Sequence, residues 1–174
     1  MTEVDGCVDN NVIALKFAEY FNNCYVCNNP KRAAEIEQDY ASLRQTYSGF
    51  PMSSEFYFDT ELVGNIISDL KRGKAPGLDG LSAEHLFYAH PSICVVLSKL
   101  FCLLLQHRYV PAGFRSNYIV PLPKSSDSRA KALKCDDLRG IAISCVISKV
   151  FEYCILKKFD TFLRSDDRQF GFKK

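Results

Sequence analysis

The chain has 174 residues, 47% of them hydrophobic and 13% aromatic, a composition that supports a buried core and excludes disorder throughout. Its formal charge of +2 hides a split, because residues 1–110 carry 9 Lys+Arg against 13 Asp+Glu while residues 111–174 carry 13 against 7. That balance of −4 against +6 points to a polyanion-facing surface built late in the chain.

In chain order, Asn11 to Phe21 has apolar residues at Val12, Leu15, Ala18 and Phe21, the spacing of a short amphipathic helix. NNCYVCNNP breaks it, and Ala33 to Tyr47 resumes helical spacing through Ile36, Tyr40, Leu43 and Tyr47. Ser48 to Ser54, with Gly49 and Pro51, reads as a linker. It separates a helical N-terminal extension, residues 1–58, from a second region, residues 59–174.

Asp59 or Thr60 then caps a helix holding Leu62, Val63, Ile66, Ile67 and Leu70, with Gly73 as its stop. KAPGLDG, residues 74–80, is a tight loop, and Ser82 caps a helix holding Leu86 and Phe87. From Pro91 to about His107 runs an apolar helix whose core, Ile93 to Leu105, contains Lys99 and falls short of the ~20 residues a membrane span needs. His85, His90 and His107 lack partners at ligand or catalytic spacing and read as helix-surface residues.

Two β-favouring ribbons follow, YIVPLP from Tyr118 and RGIAIS up to Ser144, with a polar loop between them. Lys124 closes the first and Arg139 opens the second, so pairing the ribbons sets both cations near the loop end, where a phosphate chain could reach them. Ser144 to Leu163 is a helix with Val146, Ile147, Val150, Tyr153, Cys154 and Leu156 on one face, expected to pack behind the ribbons. Asp166 and Asp167 precede QFGFKK.

Eight cysteines accompany an acidic start, MTEVDGCVDN, without the basic run and apolar core of a secretory signal. They read as reduced thiols of a protein of the cytoplasm or nucleus, not a secreted one. Cys24 and Cys27 make a CxxC without a matching second pair, so no metal site is expected.

The order KAPGLDG (74–80), YVPAGF, IVPLPK (119–124), LRGIAI (138–143), SKVFE (148–152) and QFGF (169–172) resembles the N-terminal part of a reverse transcriptase of the non-LTR (LINE-type) retrotransposons, from about Asp59 to Lys174. The family usually has a tryptophan-like residue where Phe114 stands, and Arg-Pro-Ile where this chain has Arg139-Gly140-Ile141. The resemblance implies an α+β, mainly helical fold comprising the fingers and the start of the palm of a right-hand polymerase. It also implies an RNA template, a DNA primer and deoxynucleotides as partners.

By the same resemblance Lys124 and Arg139 lie against the nucleotide's triphosphate, and Ile141, Ala142, Gln169, Phe170, Gly171 and Phe172 lie near template and base pair. The complete enzyme uses magnesium held by palm aspartates. Asp136-Asp137 and Asp166-Asp167 lack the aromatic-led apolar hairpin of that metal pair, so they read as loop or cap acids. The expectation is a fragment without catalytic residues, the rest of the palm or the thumb, inactive alone. The alternative is a catalytically inactive helical protein-interaction module derived from a retroelement, whose binding would not weaken steeply with salt.

Overall fold

A computed structural model describes residues 3–48, 57–124, 133–161 and 163. It is α+β and mainly helical: α1 Asn10–Cys24, α2 Pro30–Thr46, α3 Thr60–Asp69, α4 Ala83–Phe87, α5 Ser92–Gln106, α6 Ala112–Arg115, β1 Tyr118–Pro123, β2 Leu138–Ile143 and α7 Val146–Lys158. Two compact units result, each drawn from two stretches of sequence: the described parts of Met1–Pro51 with Ile119–Ile141, and those of Met52–Tyr118 with Ala142–Lys174.

In the first unit the Asp9 carboxylate caps α1, accepting the N–H groups of Asn11 and Val12 at 3.0 Å each. The helix buries Ile13 and Phe17, with Tyr20 and Phe21 beside them, against Val4, Leu133, Cys135 and Leu138. This corrects the expected face, since Val12 and Leu15 are exposed. The reason is aromatic bulk: Phe17, Tyr20 and Phe21 form one contiguous patch on the helix, with Phe17 and Phe21 rings 6.2 Å apart, and bury more area than Val12 and Leu15 could.

The N-terminal segment completes this small core. Val4 bridges Leu133 in parallel, and the Asp5 N–H donates to the Leu133 carbonyl at 2.8 Å. Helix α2 starts with Pro30 at its first position and Asn29 as cap, the Asn29 side chain accepting the Arg32 N–H at 3.1 Å.

Strands β1 and β2 pair as a two-stranded sheet. The Lys124 N–H donates to the Asp137 carbonyl at 2.9 Å, so the end of β1 meets the start of β2 and the pair is antiparallel. Along β2 the alternation is plain: Leu138 is buried, Arg139 exposed, Gly140 half-buried and Ile141 exposed. A Cβ on Gly140 would lie 2.9 Å from both the Phe21 ring and Ile119 Cγ2, so glycine is what lets the Phe21 ring lie on the strand.

In the second unit Asp59 is the cap of α3, its carboxylate accepting the Leu62 N–H at 2.7 Å. Val63 and Ile67 of α3 join Leu97, Phe101 and Leu104 of α5 and Val146, Val150, Phe151 and Cys154 of α7 in one core. The rings of Phe101 and Phe151 sit 5.1 Å apart, with Phe58 and Phe114 against Phe151 at 6.2 and 5.9 Å. Burying a side chain of that size contributes about 1.5–3 kcal/mol. Buried Ser98 donates to the Phe58 carbonyl at 2.5 Å, so the polar atom is satisfied.

Helix α7 is shorter than its sequence pattern, and its buried face is spent on this core, with Tyr153 and Leu156 left exposed. Against the ribbons lies α1, whose Phe21 ring covers Gly140. Phe151, outside the face expected from the sequence, fixes the rotation of α7 because its ring meets three others.

Candidate functional site

Lys124 and Arg139, singled out by the ribbons, both lie at the loop end of the strand pair and both are exposed. They differ in freedom. The Lys124 ammonium donates to the Asp136 carbonyl at 2.6 Å, which ties it to the 3₁₀ turn Cys135–Asp137. Arg139 stands on the exposed side of β2, opposite the side that carries Leu138 into the core. Ile141 and Ala142 continue β2 and are also exposed, while Gln169, Phe170, Gly171 and Phe172 lie outside the described residues.

The turn between the two cations is made by acids. The Tyr20 hydroxyl donates to Asp136 Oδ1 at 2.8 Å, and that carboxylate pushes the Tyr20 phenol up to about 12. Asp137 Oδ2 accepts the Lys134 N–H at 3.0 Å. Both acids are therefore engaged in shaping the turn. Among the described residues no group of three or more His, Cys, Asp or Glu could hold a metal ion. Asp166 and Asp167 lie outside the described residues.

All eight cysteines are free thiols. Burial pushes Cys154 up to about 12 and Cys135 to about 11, the latter helped by the Asp5 carboxylate, so both are protonated core residues rather than nucleophiles.

A second cationic feature lies in the second unit around KAPGLDG. A Cβ on Gly77 would sit 2.7 Å from Cys145 Cα, 2.9 Å from Cys145 N and 3.0 Å from Ser144 O, so the loop's backbone rests directly on the residues that open α7. The Gly80 N–H returns to the Gly77 carbonyl at 3.1 Å, and the Tyr118 hydroxyl donates to the Pro76 carbonyl at 2.8 Å. Upstream, Glu84 accepts the Gly73 N–H at 2.5 Å, and this bond, with the Ser82 hydroxyl, holds its carboxyl down at about 2.

This packing leaves a cleft of about 670 Å³ lined by Lys71, Lys74, Lys149 and Lys157, by Asp69, and by apolar surface from Ile66, Leu70, Leu81, Val146 and Leu156 together with the Tyr153 ring. Four lysines and one aspartate line it, a formal charge of +3 around a concave surface, which concentrates field and draws anions. From the sequence, KAPGLDG shows one lysine, Lys74, in a tight loop. Lys149 and Lys157 are eight residues apart on α7, a helical spacing that was readable; their meeting with Lys71 and Lys74 depends on Gly77 and was not.

No known protein family's sequence profile matches the chain. It is similar to the 115 kDa protein of the type-1 retrotransposable element R1DM of Drosophila melanogaster, with 30% identity over 115 residues. The matched stretch is 64% of this chain and 11% of the fly protein, so the chain spans only a small part of that relative. The similarity supports a retroelement origin. No helix of the described residues is long and apolar enough to cross a membrane.

Proposed function

We propose that this chain is the nucleotide- and template-binding part of an RNA-directed DNA polymerase of a non-LTR retroelement, formed as fingers and the start of a palm. The observation that carries the reading is the lysine-lined cleft built where KAPGLDG, one of the stretches on which the resemblance rests, meets α7, which carries another, SKVFE. Similarity to the R1 element protein supports it, as does Arg139 on the exposed side of β2 at the loop end of an antiparallel strand pair. In this reading single-stranded template runs over Lys71, Lys74, Lys149 and Lys157 with a base stacked on Tyr153, and Arg139 offers its planar fork to phosphate oxygens. No residue of the described chain is assigned a chemical step.

Binding of single-stranded RNA, followed by fluorescence anisotropy across a salt series, tests it. Affinity should fall steeply with salt. Lys74→Ala and Lys149→Ala should each flatten the log–log slope by roughly 0.7, one phosphate's worth on a single strand. RNA binding that is absent, or that ignores salt and both lysines, overturns the reading.

A further inference from the structure

Alone among the long helices of the described residues, α2 buries none of its side chains. Its apolar residues Ala33, Ile36, Tyr40 and Leu43 recur at spacings of three and four, the a and d positions of two heptads, and form one stripe. Ile36 is 53% exposed, Tyr40 61% and Leu43 68%, a fully solvated line of apolar surface on a helix that is otherwise polar.

The residues flanking the stripe identify what covers it. In heptad terms Arg32 and Asp39 are g positions, and Glu37 and Arg44 are e positions. If a second copy packs in parallel, g faces the partner's following e, which pairs Arg32 with Glu37 and Asp39 with Arg44. Packed antiparallel, g faces g and e faces e, which pairs Arg32 with Asp39 and Glu37 with Arg44. All four contacts in both arrangements are between unlike charges. A stripe made for an unrelated partner has no need of a pattern that complements itself.

We propose that α2 is a self-association surface: two copies of this chain pair through Ala33, Ile36, Tyr40 and Leu43, with Arg32, Glu37, Asp39 and Arg44 matched across the seam. The helix is formed in advance for this, capped by Asn29 and begun by Pro30. Within one chain Arg32 holds Glu35 at 2.9 Å, and both are 62% exposed. A surface pair of that kind is worth about 0–1 kcal/mol, so Arg32 can be shared with the partner. Two heptads make a short seam, and the association should be reversible and concentration-dependent.

Sedimentation equilibrium of the full chain over a concentration series tests the proposal. The wild-type chain should pass from monomer to dimer. Ile36→Lys with Leu43→Lys should remain monomeric, with its far-UV spectrum unchanged because both positions are solvated. Two further variants isolate the charges: Arg32→Glu with Arg44→Glu makes every flank acidic, and Glu37→Arg with Asp39→Arg makes every flank basic. Each alone should dimerise at least tenfold more weakly than wild type, and an equimolar mixture of the two should recover the wild-type constant. A wild-type chain that stays monomeric throughout overturns the proposal and assigns the stripe to a different protein. Dimerisation indifferent to Ile36 and Leu43, or charge variants that do not rescue each other, overturns it equally.

Discussion

Replacing Gly77 by alanine tests the seat on which the candidate cleft is built. The new Cβ would stand 2.7 Å from Cys145 Cα, 2.9 Å from Cys145 N and 3.0 Å from Ser144 O. Carbon atoms in ordinary contact keep about 3.5–4.0 Å, so the overlap with Cys145 Cα alone is roughly 1 Å. All three neighbours are backbone, and no rotamer change relieves them; either the loop or the first turn of α7 must move. Overpacking of this kind costs about 1–3 kcal/mol, and the backbone identity of every neighbour sets Gly77→Ala near 3. At about 2–4 °C per kcal/mol for a chain of this length, the melt followed by far-UV circular dichroism should drop by about 6–12 °C. Gly64→Ala is the control, since it lies in α3 of the same unit and its Cβ would meet only Cys94 Sγ at 3.8 Å, an ordinary contact. There the substitution should raise stability by about 0.5–1 kcal/mol. Both changes restrict the unfolded chain alike, so the difference in sign isolates the clash. A Gly77→Ala protein that melts at or above wild type refutes the packing argument and the cleft that depends on it.

Two other measurements bear on named contacts. Glu84 is held at about 2 against an ordinary 4.5, chiefly by the Gly73 N–H, so its contribution is fully present above pH 4.5 and is lost as pH falls from 4.5 towards 2. Glu84→Gln should be less stable at pH 7 and should converge with wild type near pH 2, and parallel stability curves over that range would sink the assignment. Lys124→Ala removes a hydrogen bond to Asp136 and should cost up to about 1 kcal/mol while changing the salt slope of RNA binding little. Arg139→Ala should leave stability within about 0.5 kcal/mol and flatten that slope by about one phosphate; equal effects of the two on both readouts contradict the distinction between them.

Elements with local signals were readable in the sequence. Asp59 as a cap, the helical spacing from Ala33 to Tyr47 and the β-branched ribbons each act through their nearest neighbours, and the structure starts and ends those elements within a few residues of where the pattern does. Faces were less readable. Apolar residues lie nearly all around α1, and the partners that choose Ile13 and Phe17 over Val12 and Leu15 include Leu133 and Leu138, more than a hundred residues away. Helix α2 reverses the problem: its stripe at Ile36, Tyr40 and Leu43 was plain, but a stripe does not say whether its own chain will cover it. The lysine cleft needed both kinds of information, a local one for Lys149 and Lys157 and a distant one for the seat of Gly77.

The same distinction explains how Arg139 is positioned. Its strand is fixed from one side by Leu138 in the core and by the Phe21 ring on Gly140, and at its start by the turn Cys135–Asp137. That turn is held in turn by Tyr20 on Asp136, by Lys124 on the Asp136 carbonyl and by Asp137 on Lys134. The Tyr20 phenol, pushed up to about 12, remains a donor across the physiological range, so this support does not titrate there. A proline in place of Gly140 would stiffen the strand from within, whereas glycine admits an aromatic ring that stiffens it from behind. Residues of α1 therefore do for Arg139 what the chain at that position does not, and the guanidinium is presented from a strand braced by α1 and by the turn Cys135–Asp137.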